Sequence, residues 1–294
     1  MTLIIQNLSK TYANDVKALN NVNLNIPNGI YGLLGPNGAG KSSLMRTIAT
    51  IQEPDSGTVF FNNIDVVNQK DEIRQVLGYL PQEFGVYPKV SAETLLNHLA
   101  LLKGITDSKQ RKDTVAYLLE KTNLTSHKSK GLGSYSIGMK QRFGIAQALL
   151  GNPELLIVDE PTAGLDLAER NRFYNLLSNL SEDRVIILST HIVEDVKELC
   201  KKMAIMNKGQ VVYEGRLVDA INDIDGFIYE AMPKNKDVEV EFLKNGYNVI
   251  SEKMKMGDPV FHIYSEKKLE QFKLVQADLE DVYFKHIVSP TQTF

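Results

Sequence analysis

Residues Gly35-Pro36-Asn37-Gly38-Ala39-Gly40-Lys41-Ser42 fit the pattern G-x-x-x-x-G-K-[ST] at every fixed position. An apolar run, Ile30-Tyr31-Gly32-Leu33-Leu34, leads into them and reads as a buried strand. Ser43-Leu44-Met45-Arg46-Thr47-Ile48-Ala49 follows and reads as a helix. Strand, glycine-bearing loop and helix in that order form a phosphate cradle. The glycines let the backbone curl so that successive N–H groups point inward at a β-phosphate. The helix N-terminus adds the positive end of its dipole. Lys41 can then reach the β- and γ-phosphates, and the Ser42 hydroxyl can ligate Mg2+.

The rest of the composition bounds what surrounds this loop. A chain of 294 residues suggests about two domains, or one with an appendage. Hydrophobic residues make up 43%, ample for a packed core, and a net charge of −3 steers nothing globally toward nucleic acid or acidic lipid. A single cysteine, Cys200, excludes an internal disulfide framework and points to a reducing compartment. The run Thr2 to Leu8 has no basic segment ahead of a long apolar stretch, so no secretory leader is expected. No window approaches the ~18 consecutive apolar residues of a spanning helix. A soluble chain is expected, with any membrane role supplied through a partner.

Leu3 to Leu8 and Val22 to Ile26 alternate apolar and polar residues, as half-buried strands do. Tyr12 lies in the polar stretch between them. It reads as a loop aromatic or as a platform on which adenine stacks. After the phosphate loop, Pro54-Asp55-Ser56-Gly57 marks a turn and Thr58-Val59-Phe60-Phe61 a strand. Val76-Leu77-Gly78-Tyr79-Leu80 is another short apolar run, ended by Pro81-Gln82. Gln82 sits at a strand's carboxyl end, where ligands bind in open α/β sheets, though a lone glutamine there also fits a plain loop. From Ser91 to about Leu150 the strand signals vanish. Leu95, Leu99 and Leu102, then Val115, Leu118, Leu119 and Thr122, fall at helical spacing and predict a helical insertion into the α/β core. Within it, Ser136 reads as the N-cap of a helix running through Ala146 and Leu150. With Gly138 beside it, that start is either a second anion site or a helix start alone.

The sheet resumes with Leu155-Leu156-Ile157-Val158, ending in Asp159-Glu160-Pro161. Adjacent carboxylates at a buried strand's end are costly unless they serve chemistry. Downstream of a phosphate loop, Asp159 suits a Mg2+ shell, and Glu160 suits the positioning or deprotonation of an attacking water. Neighbours on a strand point to opposite sides, which would divide the two roles. Ala163-Gly164-Leu165-Asp166 precedes a helix from about Leu167 to Leu180. The strand Val185 to Leu188 runs into Ser189-Thr190-His191. A lone histidine after a strand fits a structural role, but this one sits at a carboxyl end, on the edge expected to carry the phosphates. Ile192 to Lys201 predicts a helix. Met203 to Met206 and Gln210 to Tyr213 bracket Asn207-Lys208-Gly209 as a hairpin. The pattern breaks near Asn222 to Gly226. This predicts one domain over residues 1–222, with a helical subdomain at about 88–153, and a small α+β domain over 226–294. In the latter, Phe227 to Tyr229 and Val249-Ile250 read as strands, and Val260 to Tyr264 pairs back through Gly257-Asp258. Val238 to Leu243 reads as a short helix. Leu279, Val282, Tyr283, His286 and Ile287 form the clearest helical stripe, with Asp278 as its cap and His286 as a packed side chain.

Laid end to end, these pieces resemble the nucleotide-binding subunit of an ATP-binding cassette (ABC) transporter over roughly residues 2–222. Gly35 to Ser42 is similar to the Walker A loop, and Leu155 to Glu160 to Walker B with its catalytic glutamate. Tyr135-Ser136-Ile137-Gly138-Met139 falls where that family carries its signature, usually Leu-Ser-Gly-Gly-Gln. Gln82, the stretch Ala163 to Asp166, and His191 resemble the Q-, D- and H-loops, and Tyr12 the adenine-stacking aromatic. The runs Tyr135 to Arg142 and Thr190 to Asp195, with Leu279-Glu280-Asp281-Val282-Tyr283, resemble the branch that pairs with ABC-2-type permeases, often exporters. Ile137 replaces the first signature glycine and Met139 the glutamine. Ser136 and Gly138 remain, so a working signature with a looser fit is expected.

The resemblance implies an α/β fold. Its core is a P-loop NTPase of mixed sheet with a helical signature subdomain, followed by a small α+β C-terminal domain. It implies ATP hydrolysis with Glu160, His191 and Gln82 as catalytic groups. ATP would be held by Tyr12, Gly35, Pro36, Asn37, Gly38, Ala39, Gly40, Lys41, Ser42, Ser43 and Asp159, and Mg2+ by Ser42, Gln82 and Asp159. Ser136 and Gly138 of one chain would close on the γ-phosphate held by another, in a head-to-tail homodimer or a pair with a related ATPase subunit. That dimer would drive an integral membrane permease from the cytoplasmic face of the cell membrane. The alternative is a soluble ABC ATPase acting on a macromolecular partner. The lack of long heptads, of a tandem second cassette and of a basic stripe argues against that reading and against nucleic acid.

Overall fold

The computed structural model of the protein describes residues 1–232 and 247–288. The expected helix over Val238–Leu243 lies outside them. β1 (Thr2–Thr11) and β2 (Lys17–Pro27) alternate buried and exposed residues and pair antiparallel. β3 (Gly29–Leu34) is instead buried from Tyr31 to its end and feeds the glycine loop and α1 (Lys41–Ile48). β4 (Ser56–Phe61) and the short β5 (Ile64–Asp65) complete an antiparallel sheet in the order β2-β1-β4-β5. α2 (Lys70–Val76) then runs directly into β6 (Leu77–Leu80). Val76, expected to open that strand, closes α2 instead. Ile73 is the one buried side chain of α2, so the helix carried almost no periodic signal.

Between β6 and the next strand the chain is helical: α3 (Ala92–Leu102), α4 (Ser108–Lys121) and α5 (Ile137–Ala148). Each begins at a side chain that accepts from a backbone N–H of its first turn, namely Ser91 from Thr94, Asp107 from Gln110 and Ser136 from Met139. α5 stops short of the expected Leu150, with Leu149 as its C-cap. β7 (Leu155–Asp159) follows, then α6 (Leu167–Leu180), capped by Asp166. β8 (Val185–Thr190) and α7 (Val193–Leu199) come next. Ile192 and Cys200 are the caps of α7, which is therefore shorter than the expected Ile192–Lys201.

Every residue of β7 and β8 is buried, as in parallel strands covered on both faces. β3 pairs in parallel with β8, β8 with β7, and β7 with β6. The register sets Leu34 beside Thr190, Asp159 beside Ser189, and Leu80 beside Val158. Four carboxyl ends thus fall in one row. The phosphate loop, His191, Glu160 and Gln82 leave the sheet from that row, the edge at which open α/β sheets bind ligands.

β9 (Lys202–Asn207) and β10 (Gln210–Arg216) follow. The chain forms two compact units. One is Met1–Cys200 with Met206–Val211; the other is Lys201–Ile205 with the described residues from Val212 onward. The division runs through β9 and β10, ahead of the composition break at residues 222–226. The second unit contains α8 (Leu217–Asn222), β11 (Ile228–Ala231), β12 (Asn248–Lys255), β13 (Asp258–Tyr264), β14 (Lys273–Leu274) and α9 (Leu279–Ile287). Its sheet has the order β12-β13-β11-β14. Met256 and Gly257 turn β12 into β13 with φ of 54° and 98°, as a tight hairpin turn of two left-handed residues requires. α9 opens on a reciprocal cap between Asp278 and Asp281 and buries Leu279, Val282 and Tyr283. His286 is packed, its ring centroid 5.3 Å from that of Tyr213. Burial, and then the charge of Lys285, lowers its pKa.

Candidate active site

Gly38 and Gly40 take φ of 80° and 103°, a left-handed region that favours glycine. A Cβ on Gly40 would also fall 2.3 Å from the carbonyl oxygen of Ala18. The turn Asn207-Lys208-Gly209 braces the loop from another side, with the Gly209 N–H donating to the Ala39 carbonyl at 2.9 Å. α1 starts at Lys41, so its first N–H groups open at the loop.

Lys41 is folded over this loop and only 4% exposed. Its Nζ donates to the carbonyls of Gly35 at 2.7 Å and Pro36 at 3.2 Å, and lies 3.4 Å from Glu160 Oε1. Burial lowers its pKa, against the opposing pull of Glu160 and Asp159. The other oxygen, Glu160 Oε2, lies 2.9 Å from His191 Nδ1. A chain Lys41–Glu160–His191 therefore crosses the ends of β3, β7 and β8.

Strand alternation does not separate the two carboxylates. β7 ends at Asp159, and Glu160 turns out of it with φ of 47°. The left-handed conformation costs a non-glycine residue about 1–3 kcal/mol. It is held by the Glu160 N–H donating to Ser189 O at 2.8 Å and by the two side-chain contacts.

Asp159 is 2% exposed, and its Oδ1 has no hydrogen-bond partner among the described residues. Burial raises its pKa; the hydroxyls of Ser189 and Ser42 beside it pull the other way. An orphaned carboxylate oxygen next to a hydroxyl is a donor set for a hard dication. Among the described residues no three His, Cys, Asp or Glu side chains form a metal cage. Mg2+ needs none, because it keeps waters and shares one or two carboxylates with substrate phosphates. The residues present fit that ion.

An open cleft of about 600 Å3 is lined by Tyr12, Lys17, Asn37 through Ser43, Gln82, Glu160 and Lys208. The structure thus gathers most of the residues singled out in the sequence. His191 joins through Glu160, and Asp159 lies beside Ser42. Ser136 and Gly138 are not among the lining residues. Lys17 and Lys208, passed over in the sequence, bring positive charge suited to a polyanion. The available signal for Lys208 was a cation in a turn whose neighbour Gly209 must approach the loop.

Two supporting clusters, around Asp195 and Glu169, come from contacts that sequence spacing does not give. Asp195 is fully buried and accepts hydrogen bonds from Thr162 Oγ1 (2.6 Å), Tyr174 OH (2.6 Å) and Thr190 Oγ1 (2.8 Å). It ties the segment after Glu160 to the strand end that carries His191. Its one trace in sequence is an acid beside Val196 on the buried face of α7. Glu169 of α6 accepts from Arg142 of α5 at 2.6 Å, and it would lie 2.5 Å from a Cβ on Gly138. Gly138 is small because Glu169 lies against it. Ile137 is 58% exposed, which explains how a large side chain stands there.

The sequence model of the ABC transporter family matches residues 19–163. The chain is 35% identical over 205 residues to the ABC transporter ATP-binding protein NatA of Bacillus subtilis, covering 69% of this chain and 83% of NatA. It is 37% identical over 186 residues to the probable multidrug ABC transporter ATP-binding protein YbhF of Escherichia coli, covering 63% of this chain and 32% of that one. Identity is 35% over 227 residues to the methionine import ATP-binding protein MetN 1 of Paraburkholderia xenovorans, covering 73% and 65%. Among solved structures, the ATP-binding cassette MJ0796, dimeric in a post-hydrolysis state with ADP and Pi, matches with a TM-score of 0.67 at 28% identity, covering 73% of this chain and 98% of that one.

Proposed function

The chain belongs to the ABC transporter family, and on that premise we propose that it is the ATP-hydrolysing subunit of a membrane transporter, acting through a head-to-tail dimer on a separate permease. The observation that carries this reading is the Lys41–Glu160–His191 chain beside a glycine cradle, with Ser136 left outside the cleft. Tyr12 offers its ring to adenine. The backbone from Gly35 to Ser43 and the Lys41 ammonium hold the phosphates. Ser42, Asp159 and Gln82 would hold Mg2+, which would supply neutralisation of the phosphate charge. Glu160 orients the attacking water and takes its proton. His191 fixes Glu160 and reaches the γ-phosphate.

The missing donors come from a second copy. Ser136 caps α5, a helix whose positive end suits a γ-phosphate, and a tetra-anion between two such ends holds two chains together. The dimeric state of MJ0796 with ADP and Pi supports this arrangement. Among the described residues no helix is long and apolar enough to cross a membrane. In the proposed assembly the permease makes the crossing and this chain works at its cytoplasmic face. Outward transport is the direction proposed, from the likeness of Tyr135–Arg142 to the ABC-2 branch. The test is the solution mass of Glu160→Gln by light scattering. A mass that doubles only with Mg·ATP is expected; a mass unchanged by ATP overturns the ATP-driven dimer.

A further inference from the structure

Tyr12 is tied to the helix that opens at the phosphate loop. It lies just after β1, 36% exposed, with its hydroxyl 3.0 Å from Ser43 Oγ and donating to Gln52 Oε1 at 3.0 Å. Gln52 is itself fastened at its other end. Its Nε2 donates to the Ser43 carbonyl at 2.8 Å and to Thr47 Oγ1 at 3.0 Å. Thr47 Oγ1 donates to that same Ser43 carbonyl at 2.9 Å. Ser43 and Thr47 belong to α1, and Gln52 lies shortly beyond its end. Tyr12, although far away in sequence, thereby becomes part of the same body as the phosphate cradle. The bonds engage the rim of the ring, at its hydroxyl, and leave a face for stacking.

We propose that Gln52 is a positioning residue for the nucleotide base: it holds Tyr12 in the orientation from which the ring stacks on adenine, and so sets ATP affinity without touching the substrate. The proposal rests on the reading of Tyr12 as the adenine platform. A carboxamide suits the task because it accepts from the phenol with one atom and donates to the helix backbone with the other. A ring released from these bonds spends only part of its time ready to stack, and the apparent Kd rises as the reciprocal of that fraction. The loss of such a bond corresponds to an increase of about 3- to 10-fold. Glu160 and the γ-phosphate are not involved, so binding changes and the chemical step does not.

The experiment uses the full chain as wild type, Gln52→Leu, Tyr12→Phe, the double variant and Tyr12→Ala. The Kd and KM for ATP, kcat, and the Ki of inorganic triphosphate as a competitor without a base are measured. Each single variant is expected to raise Kd and KM about 3- to 10-fold. Gln52→Leu adds nothing to Tyr12→Phe, because the bond between the two side chains is already gone; Tyr12→Phe alone also gives up the contact to Ser43 Oγ. For Gln52→Leu, kcat and the triphosphate Ki stay at wild-type values. A raised triphosphate Ki shows damage to α1 or the loop and overturns positioning. If Tyr12→Ala weakens ATP binding while Gln52→Leu and Tyr12→Phe do not, positioning fails and the adenine platform stands. If Tyr12→Ala leaves ATP affinity unchanged, the platform reading itself falls.

Discussion

Replacing Asp159 by asparagine tests whether this carboxylate is built for a dication. It is 2% exposed, its Oδ1 lacks a partner among the described residues, and burial raises its pKa. A carboxylate whose folded pKa lies above its unfolded value binds more protons when folded. Stability then falls as pH rises from the unfolded value through the folded one. Asparagine keeps the shape, removes the charge and places a neutral amide beside Ser42 and Ser189. An unsatisfied buried acceptor costs about 1–3 kcal/mol. Each kcal/mol moves Tm by about 2–4 °C in a unit of this size. In EDTA at neutral pH, Asp159→Asn should therefore melt about 2–12 °C above wild type by calorimetry. The gap should narrow as pH falls into the ordinary carboxylate range. With Mg·ATP the order reverses, because wild type gains ligand protection that the variant cannot match. A variant that melts at or below wild type in EDTA refutes the argument that the orphaned oxygen is a cost borne for the ion.

Two further outcomes follow from the same contacts. Glu160→Gln should retain ATP affinity while steady-state turnover falls about 10²–10⁴-fold, and near-normal turnover would remove Glu160 from the role of base. Asp195→Ala leaves the hydroxyls of Thr162, Tyr174 and Thr190 without their buried acceptor. Urea unfolding should show a loss of at least about 2 kcal/mol, and a loss below about 0.5 kcal/mol would mean the cluster is not holding these segments.

The row of strand ends was legible because the parallel strands are continuous apolar runs that stop at polar residues. Leu155 to Val158 and Val185 to Leu188 announce both their burial and the place where Asp159 and His191 emerge. Helix starts were equally plain, since Ser136, Asp166 and Asp278 cap locally and their partners lie three residues on. What escaped depends on approach across the fold. Gln52 meets Tyr12 from 40 residues away, and Asp195 gathers Thr162 from 33. No periodicity carries such distances. α2 escaped because it buries too little to leave a stripe. The turn of Glu160 escaped for another reason: a left-handed backbone is written in sequence mainly by glycine, and a glutamate there is paid for by tertiary contacts alone.

Those contacts bear on how the proposed reaction would begin. The Lys41 ammonium has three N–H donors, and it faces three oxygens: the Gly35 and Pro36 carbonyls and Glu160 Oε1. Polyphosphate cannot gain Lys41 unless some of these are given up. Glu160 Oε1 is the farthest of the three, at 3.4 Å against 2.7 and 3.2 Å for the carbonyls, and its negative charge is the one an arriving polyphosphate repels. In the proposed cycle the first exchange is thus a carboxylate for a phosphate on the same ammonium, which leaves Oε1 open to a water. Glu160 then keeps His191 on Oε2 and the Ser189 carbonyl on its N–H as the contacts that hold its left-handed backbone. Both contacts come from the end of β8, the segment that Asp195 fastens through Thr190. Loss of Asp195 therefore reaches Glu160 when nucleotide is bound more than when the site is at rest. Turnover of Asp195→Ala should fall by a larger factor than its ATP affinity, and an equal fall in both would separate Asp195 from the working of Glu160.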